Sequence, residues 1–255
     1  MIGIDAVKGN QPPSLHVVCT KESIAVERLA GRVAVVFDVL LATTTIVTAL
    51  DAGARGVWPV ADVPAAHLRA DQLPTGQRLL AGEQHLAPIP GFASYRPLVL
   101  AREEQLHGRE LILLTTNGTV ALDRCATAQA TYAACLRNAT AVAERLAADH
   151  ADQTILLVCA GSAGRFSLED CLGAGAVAAR LLEKRPGTWR LTDAAHAALA
   201  VYRSHANNPA ACLAGTRLGQ LLLQLDMADD IAHAAAVDVC SAVPRLQDGG
   251  RLDAG

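Results

Sequence analysis

Residues 33–51 read VAVVFDVLLATTTIVTALD, and this stretch decides the fold class. Its first five residues are apolar and mostly valine, which predicts a buried strand that runs directly into Asp38. Residues 44–52 then predict a helix. A buried strand followed within a few residues by a helix is typical of the βαβ units that build a parallel sheet.

The same alternation of apolar runs and Ala-rich stretches continues along the chain. Further strands are predicted at residues 15–19, 57–60, 78–82, 110–115, 130–132, 154–160 and 237–240. Further helices are predicted at residues 63–72, 120–125, 138–148 and 168–184, and in a region at 191–233 that Asn207, Asn208 and Pro209 interrupt. The pattern predicts an α/β fold with mixed, largely parallel sheets, flanking helices and two unequal α/β subdomains.

One α/β domain is expected to span residues 15–245, because 255 residues suffice for a single large domain or two small subdomains. A flexible segment is expected at residues 1–14, and a polar tail ending in QDGGRLDAG at residues 246–255. Seven scattered cysteines without a CxxC motif predict reduced, mostly buried thiols and a cytoplasmic protein.

The composition argues against several functional classes. The net charge is −3 and the basic residues are dispersed, so no nucleic-acid-binding stripe is expected. Aromatic residues make up only 3% of the chain, which leaves few rings for base stacking. No apolar run approaches the roughly 18 residues that span a bilayer. We therefore expect neither a nucleic-acid partner nor a membrane partner.

Polar residues follow several predicted strands, and ligands bind at these strand ends in an open α/β sheet. Asp38 and Glu83 are two such residues. Carboxylate oxygens suit Mg²⁺, which often takes one or two protein carboxylates together with a substrate phosphate. The two residues therefore predict a magnesium site, with Asp38 also a candidate catalytic residue. The alternatives are that Asp38 caps the following helix and that Glu83 is a solvated loop acid.

The segment TTNGT at residues 115–119 opens a helix directly after a predicted strand. Free backbone amides and the positive end of a helix suit a phosphate oxygen. The segment therefore predicts a phosphate-binding turn made by Thr115, Thr116, Asn117 and Gly118. The alternative is a plain helix N-cap made by Thr116 or Asn117.

The densest polar cluster is GSAGRFSLED at residues 161–170. The planar guanidinium of Arg165 suits phosphate, carboxylate or sulfonate, so we predict that it binds the substrate. Glu169 and Asp170 are predicted to take part in catalysis by orienting water or binding the metal. The alternative is that Ser167 caps the helix and that both acids only complement the helix dipole.

These segments together resemble the 2-phosphosulfolactate phosphatase family. Residues 35–47, VVFDVLLATTTIV, are similar to its DVLRAT[ST]TI signature. Later blocks match in order at residues 82–83, 114–119, 159–170, 243–244 and 248–249, so that the resemblance covers about residues 15–250. It implies a magnesium-dependent hydrolase with a two-subdomain α/β fold. Such an enzyme converts (2R)-2-phospho-3-sulfolactate to sulfolactate, a step toward coenzyme M.

Two positions depart from the family pattern. The arginine of the signature is Leu41 here, and the family loop GFDxGNSP is the shorter GFASYRP at residues 91–97. Arg96 is predicted to bind the substrate and to replace the lost positive charge if it faces inward. The partner implied is a small anionic phosphorylated metabolite, and a homodimer is left open. The alternatives are a degenerate member that binds such an anion without turnover, and a phosphatase of another phosphorylated hydroxy acid.

Overall fold

A computed structural model describes residues 12–102 and 106–255. The flexible segment predicted at 1–14 lies largely outside these residues, and Ser14 begins the first strand. The strands are β1 (Ser14–Val18), β2 (Val33–Phe37), β3 (Gly56–Val60), β4 (Arg78–Gln84), β5 (Ala87–Pro88), β6 (Glu110–Leu114), β7 (Ala130–Ala134), β8 (Ile155–Cys159), β9 (Arg190–Leu191), β10 (Arg245–Leu246) and β11 (Leu252–Asp253). The helices are α1 (Ala42–Asp51), α2 (Val63–Asp71), α3 (Pro97–Ala101), α4 (Gly118–Arg124), α5 (Ala139–Asp149), α6 (Leu168–Lys184), α7 (Asp193–His205), α8 (Pro209–Gly215), α9 (Arg217–Gln224) and α10 (Ala228–Ala235).

The strands of the described residues form one sheet in the order β5-β4-β6-β3-β11-β10-β7-β2-β8-β1-β9. Strands β4, β6 and β3 are parallel to one another, and so are β7, β2, β8, β1 and β9. The antiparallel pair β10 and β11 joins these two parallel blocks through β7 and β3. The predicted mixed, largely parallel α/β fold is confirmed. The predicted division into two subdomains is not confirmed, because the sheet is continuous.

The central strand β2 explains why helices cover both faces of the sheet. All five of its residues are buried. Val33, Val35 and Phe37 belong to an apolar cluster that includes residues of α5 and α6. Ala34 and Val36 belong to a second cluster with residues of α1 and α4. Because successive side chains of a strand point to opposite faces, an entirely apolar strand needs a helix layer on each side.

The strands and helices predicted between residues 15 and 184 are present, each with bounds within two residues of the prediction. The strand predicted at 237–240 is wrong. Asp238 has a φ of 54°, and its carboxylate accepts hydrogen bonds from the Thr140 amide and the Arg180 guanidinium. These contacts turn the chain away from the extended conformation that a strand requires.

The helical region predicted at 191–233 divides into α7, α8, α9 and α10. The interruption predicted near Pro209 is confirmed, since the Asn208 side chain accepts from the Ala211 amide and caps α8. A further break was not predicted: the Thr216 hydroxyl accepts from the Gly219 amide at 3.0 Å and starts α9. This break sets the direction of α9, whose first residues lie beside the candidate site.

The sequence predicts a polar tail at residues 246–255, but Leu246 ends strand β10 and Leu252–Asp253 form strand β11 of the sheet. Leu252 in β11 is completely buried and pairs with Val57 in β3. A single apolar residue between polar neighbours gives no recognisable strand pattern, so its burial was not predicted.

The seven cysteines are free thiols and all except Cys19 are buried, as predicted. In the described part of the chain, no helix combines the length and the apolar character needed to cross a membrane.

Candidate functional site

A cavity of about 300 Å³ opens at the carboxyl-terminal edge of the parallel strands. Its wall is made by the segments that follow β1, β2, β4, β6 and β8, together with residues of α9. Loops and helix N-termini converge at this edge of an open α/β sheet, and ligands bind there for that reason. We call it the strand-end cavity.

Two buried threonines fix the loop that follows β2. The Thr43 hydroxyl donates to the Asp38 carbonyl at 2.9 Å and accepts from the Asp38 amide at 3.1 Å. The Thr44 hydroxyl donates to the Val39 carbonyl at 2.8 Å. The run of threonines in the sequence therefore satisfies backbone groups that would otherwise be buried without partners. As a result, the Asp38 side chain is held at the wall of the strand-end cavity.

Asp38 is a buried carboxyl group with a perturbed pKa. Burial first, and the nearby Glu83 carboxylate second, raise its pKa to about 7, and Glu169 adds to the effect. The backbone amides of Ala42 and Gly118, which begin α1 and α4, hydrogen-bond to the Asp38 carboxylate. Asp38 therefore contacts two helix starts, as the helix-capping alternative expects, and also lines the strand-end cavity.

Glu83 holds the turn that follows β6. Its Oε1 accepts from the Thr116 amide at 2.7 Å, and its Oε2 accepts from the Thr116 hydroxyl at 3.0 Å and the Leu86 amide at 2.6 Å. Glu83 is only 7% exposed, so the alternative of a solvated loop acid is wrong. Because a carboxylate has about four acceptor sites, these three bonds leave Glu83 able to contact a cation.

The turn at residues 115–119 directs part of its backbone toward these carboxylates. The Thr116 amide donates to Glu83 and the Gly118 amide donates to Asp38, so neither is free for a phosphate. Asn117 is the first residue before α4, but its side chain makes no capping hydrogen bond. Of the four residues predicted to bind phosphate, three line the strand-end cavity: Thr115, Thr116 and Asn117.

Glu169 and Asp170 lie in the first turn of α6, outside the wall of the strand-end cavity. Asp170 accepts from the Val39 amide at 2.9 Å and from the Gly161 amide at 3.0 Å. Burial, followed by the charges of Asp38 and Glu169, raises the pKa of Asp170 well above its usual range. Asp170 therefore joins the loops that follow β2 and β8 and supports the position of Asp38.

Arg165 is exposed and lines a neighbouring cavity rather than the strand-end cavity. The Ser167 hydroxyl accepts from the Asp170 amide at 3.2 Å and caps α6, as the capping alternative expects. The loop after β8 reaches the strand-end cavity through Ser162 instead.

Lys21 lines the strand-end cavity and was not predicted from the sequence. Its Nζ donates to Asn117 Oδ1 at 2.8 Å and pairs with the Glu22 carboxylate at 3.0 Å. Lys21 is only 8% exposed. It follows the strand predicted at residues 15–19, so the strand-end criterion that selected Asp38 could have found it.

Arg217, the first residue of α9, also lines the strand-end cavity. Its Nη2 donates to the Ser162 hydroxyl at 2.8 Å. No local signal marks this residue, because its position depends on how α9 packs against a loop more than 50 residues earlier in the chain.

Arg96 does not line the strand-end cavity, although the sequence predicts a substrate-binding role for it. Its Nε donates to Asp230 Oδ2 at 2.6 Å, and the Asp230 carboxylate is fully buried in α10. The guanidinium therefore compensates a buried charge within the protein.

Asp38 and Glu83 form a donor set that fits a divalent cation. Both line the strand-end cavity, and the Glu83 charge helps to raise the pKa of Asp38, so a bound cation would relieve their repulsion. Across residues 12–102 and 106–255, no group of three or more His, Cys, Asp or Glu side chains is arranged as a metal site. A pair of carboxylates suits Mg²⁺, which keeps several waters and takes its remaining ligands from a substrate.

Comparison with known proteins gives consistent matches over most of the chain. The family model described as 2-phosphosulpholactate phosphatase matches residues 18–249. A protein of Parasynechococcus marenigrum (strain WH8102), named "Probable 2-phosphosulfolactate phosphatase", is 40% identical over 222 residues, which cover 87% of this chain and 91% of that protein. Proteins with the same name from Symbiobacterium thermophilum and Thermotoga maritima are 39% and 37% identical, and the alignments cover 88% and 86% of this chain and 94% and 90% of theirs.

Proposed function

The chain belongs to the 2-phosphosulfolactate phosphatase family, and we propose that it hydrolyses the phosphate monoester of a small 2-hydroxy acid. Mg²⁺ is its proposed cofactor. The proposal rests mainly on one observation. The carboxyl groups of Asp38 and Glu83, 45 positions apart in the chain, line the same cavity as the turn after β6.

Asp38 and Glu83 would hold the metal ion. When bound, Mg²⁺ supplies positive charge beside the phosphate oxygens, which stabilises the charge of the transferring phosphoryl group. Glu83 keeps its orientation through its bonds to Thr116 and Leu86. The amides of Ala42 and Gly118 fix the Asp38 carboxylate. We therefore assign Asp38 to metal binding, with a water molecule rather than this carboxylate as the nucleophile.

Lys21 and Asn117 would bind the phosphate. The two side chains are joined by a hydrogen bond of 2.8 Å, and both line the strand-end cavity. A buried ammonium group held in place in this way stabilises negative charge without reorganising during the reaction. Attack by water then forms one P–O bond while the ester P–O bond breaks. His85, which also lines the cavity, would give a proton to the leaving alkoxide, and the proton lost by the attacking water would pass through solvent to restore the proton on His85.

Asp170 would act as a positioning residue. It does not line the strand-end cavity, and its carboxylate binds the amides of Val39 and Gly161. Its replacement should lower activity through Asp38 rather than through a contact with the substrate.

Phosphate release from 2-phospho-3-sulfolactate, 2-phospholactate and phenyl phosphate tests the proposal. We expect release with Mg²⁺, no release with EDTA, and recovery when Mg²⁺ is added back. Asp38→Asn should lower kcat about 100-fold, because it weakens a metal ligand and displaces the metal. Release that is unchanged by EDTA and by Asp38→Asn would contradict the metal assignment. Binding of the three esters without release of phosphate would favour a family member that binds an anion without turnover.

A further inference from the structure

We infer that the strand-end cavity selects a phosphorylated 2-hydroxy acid with an apolar side group, and that Arg217 is the specificity-determining residue that binds its carboxylate. The inference rests on the proposed function and concerns the part of the substrate that lies beyond the phosphate. It rests on two features of the cavity wall, a set of leucines and the guanidinium of Arg217.

Leucines form much of the wall of the strand-end cavity. They come from three separate parts of the chain: Leu40, Leu41, Leu86, Leu218 and Leu221. An anionic group placed against such a surface loses hydration without gaining a donor, which is unfavourable. An alkyl group placed there instead leaves water and gains free energy. The wall therefore favours an apolar side group over a sulfonate.

Besides the proposed Mg²⁺, two Lys or Arg side chains stand in the described part of the cavity wall. Lys21 is placed beside Asn117 in the turn after β6, where the proposed function puts the phosphate. Arg217 is the other Lys or Arg side chain among the described residues of the wall. With Mg²⁺ and Lys21 at the phosphate and Arg217 at the carboxylate, the described wall of the strand-end cavity offers no further Lys or Arg side chain to a sulfonate.

Arg217 has the free donors that a carboxylate needs. Its Nη2 donates to the Ser162 hydroxyl, which holds the guanidinium at the cavity. Within the described residues, no Asp or Glu forms an ion pair with Arg217. A guanidinium has five N–H donors and can bind a carboxylate through two parallel hydrogen bonds. The Ser162 contact uses only part of this capacity.

Three phosphate esters that differ only in the side group test the apolar preference. They are the 2-phosphates of 3-sulfolactate, of lactate and of 2-hydroxy-4-methylpentanoate, assayed as kcat/KM with Mg²⁺. We expect the 4-methylpentanoate ester to exceed the sulfolactate ester at least about 10-fold, because each methylene in an apolar pocket contributes roughly 10-fold or more. The highest kcat/KM for the sulfolactate ester would overturn the inference and leave the proposed function intact. No release from any ester, with phenyl phosphate included, would overturn both.

Two leucines of α9 provide a matched pair of variants. Leu221 lines the cavity and is 39% exposed, whereas Leu223 is 38% exposed and does not line it. Leu221→Lys should raise the ratio of kcat/KM for the sulfolactate ester over the lactate ester by about 10-fold, since it places a cation at the wall. Leu223→Lys should leave that ratio unchanged. Equal ratios in the two variants and the unmodified protein would contradict the placement of the substrate side group beside Leu221.

Arg217→Met tests the carboxylate contact. We expect kcat/KM for the lactate ester to fall by about 10- to 100-fold, mainly through KM, because a charge-assisted hydrogen-bond pair is lost. The loss on phenyl phosphate, which has no carboxylate, should be at least about 10-fold smaller than the loss on the lactate ester. Arg203→Met, an exposed arginine of α7 that does not line the cavity, is the control for lost charge. Equal losses on both substrates would show that Arg217 does not bind the carboxylate.

Discussion

At the residue scale, the raised pKa of Asp38 makes the stability of the protein depend on pH. In the metal-free protein, burial and the Glu83 charge raise this pKa from an ordinary value of 3.8 to about 7. Between these two values the folded state binds a proton that the unfolded state has lost, so the contribution of Asp38 to stability falls as the pH rises from about 4 to about 7.

Asp38→Asn should remove this pH dependence, because asparagine does not ionise. In EDTA, we expect the Tm of the variant relative to the unmodified protein to be higher at pH 8 than at pH 5. A difference of about 2 to 4 °C corresponds to 1 kcal/mol in a chain of this size. Differential scanning calorimetry at both pH values measures it. A Tm difference that is the same at pH 5 and pH 8 would contradict the raised pKa.

Arg96 should be important for stability rather than for substrate binding. Arg96→Met removes the ion-pair partner of the buried Asp230 carboxylate, which keeps the Leu98 amide as a donor; we expect the loss to cost about 3 kcal/mol of unfolding free energy. Lys184→Met is the control, since the Lys184–Glu144 pair is on the surface and should contribute less than about 1 kcal/mol. Urea denaturation and KM measure the two effects. A large rise in KM with unchanged stability would restore the substrate-binding prediction.

Of the four acids predicted for the site, Asp38 and Glu83 line the strand-end cavity, whereas the predicted cations Arg96 and Arg165 do not. Asp38 and Glu83 were identified because each follows a recognisable strand, and the structure places both at one cavity. The sequence predicted that the positive charge of Arg96 binds the substrate. Its long-range contact with Asp230 instead determines where the side chain lies. Contacts of this kind join residues that are far apart in the chain, and a local pattern does not contain them.

At the scale of elements, helices α1 and α4 both begin beside the Asp38 carboxylate, and Gly118 is the residue of α4 that lies against it. A methyl group added at Gly118 would clash with the Ala42 methyl group and would lie 2.8 Å from Asp38 Oδ2, so one or both must move. Gly118→Ala should therefore cost about 1 to 3 kcal/mol of stability. It should also lower kcat by about 100-fold, because the carboxylate is displaced.

Gly76→Ala is the matched control for this change. No heavy atom lies within 4 Å of the position that its methyl group would take. Denaturation and kcat measured for both variants give the comparison. Equal effects of the two substitutions would contradict the close approach of α4 to Asp38.

Elements with continuous apolar runs or helical periodicity were predictable, and short elements were not. Strands β2, β6 and β8 are buried along their whole length, so their composition alone indicates a parallel sheet. Strands β5, β9, β10 and β11 have two residues each, and helix α3 has five. Such short segments take their conformation from the neighbours they pair with or pack against.

At the scale of the whole molecule, the last residues of the chain join the two parallel blocks of the sheet. Strands β10 and β11 are the connection between β7 and β3, and Leu252 is their fully buried side chain. Leu252→Ala should cost about 2 to 5 kcal/mol of unfolding free energy. Val239→Ala, at a position that is 55% exposed, should cost less than about 0.5 kcal/mol. Urea denaturation tests this, and equal small losses would mean that the blocks are stable without the bridge.

The central claim is that acids from two strand ends of this single sheet hold a divalent cation beside a phosphate. Diffraction from crystals soaked with Mn²⁺ and inorganic phosphate, recorded at the manganese absorption edge, tests it most directly. The account predicts an anomalous peak within bonding distance of the carboxylate oxygens of Asp38 and Glu83, at about 2.1 Å for an ion of the magnesium type, with phosphate between the metal and Lys21. An ordered manganese ion bound elsewhere, with neither carboxylate in its coordination sphere, would contradict it.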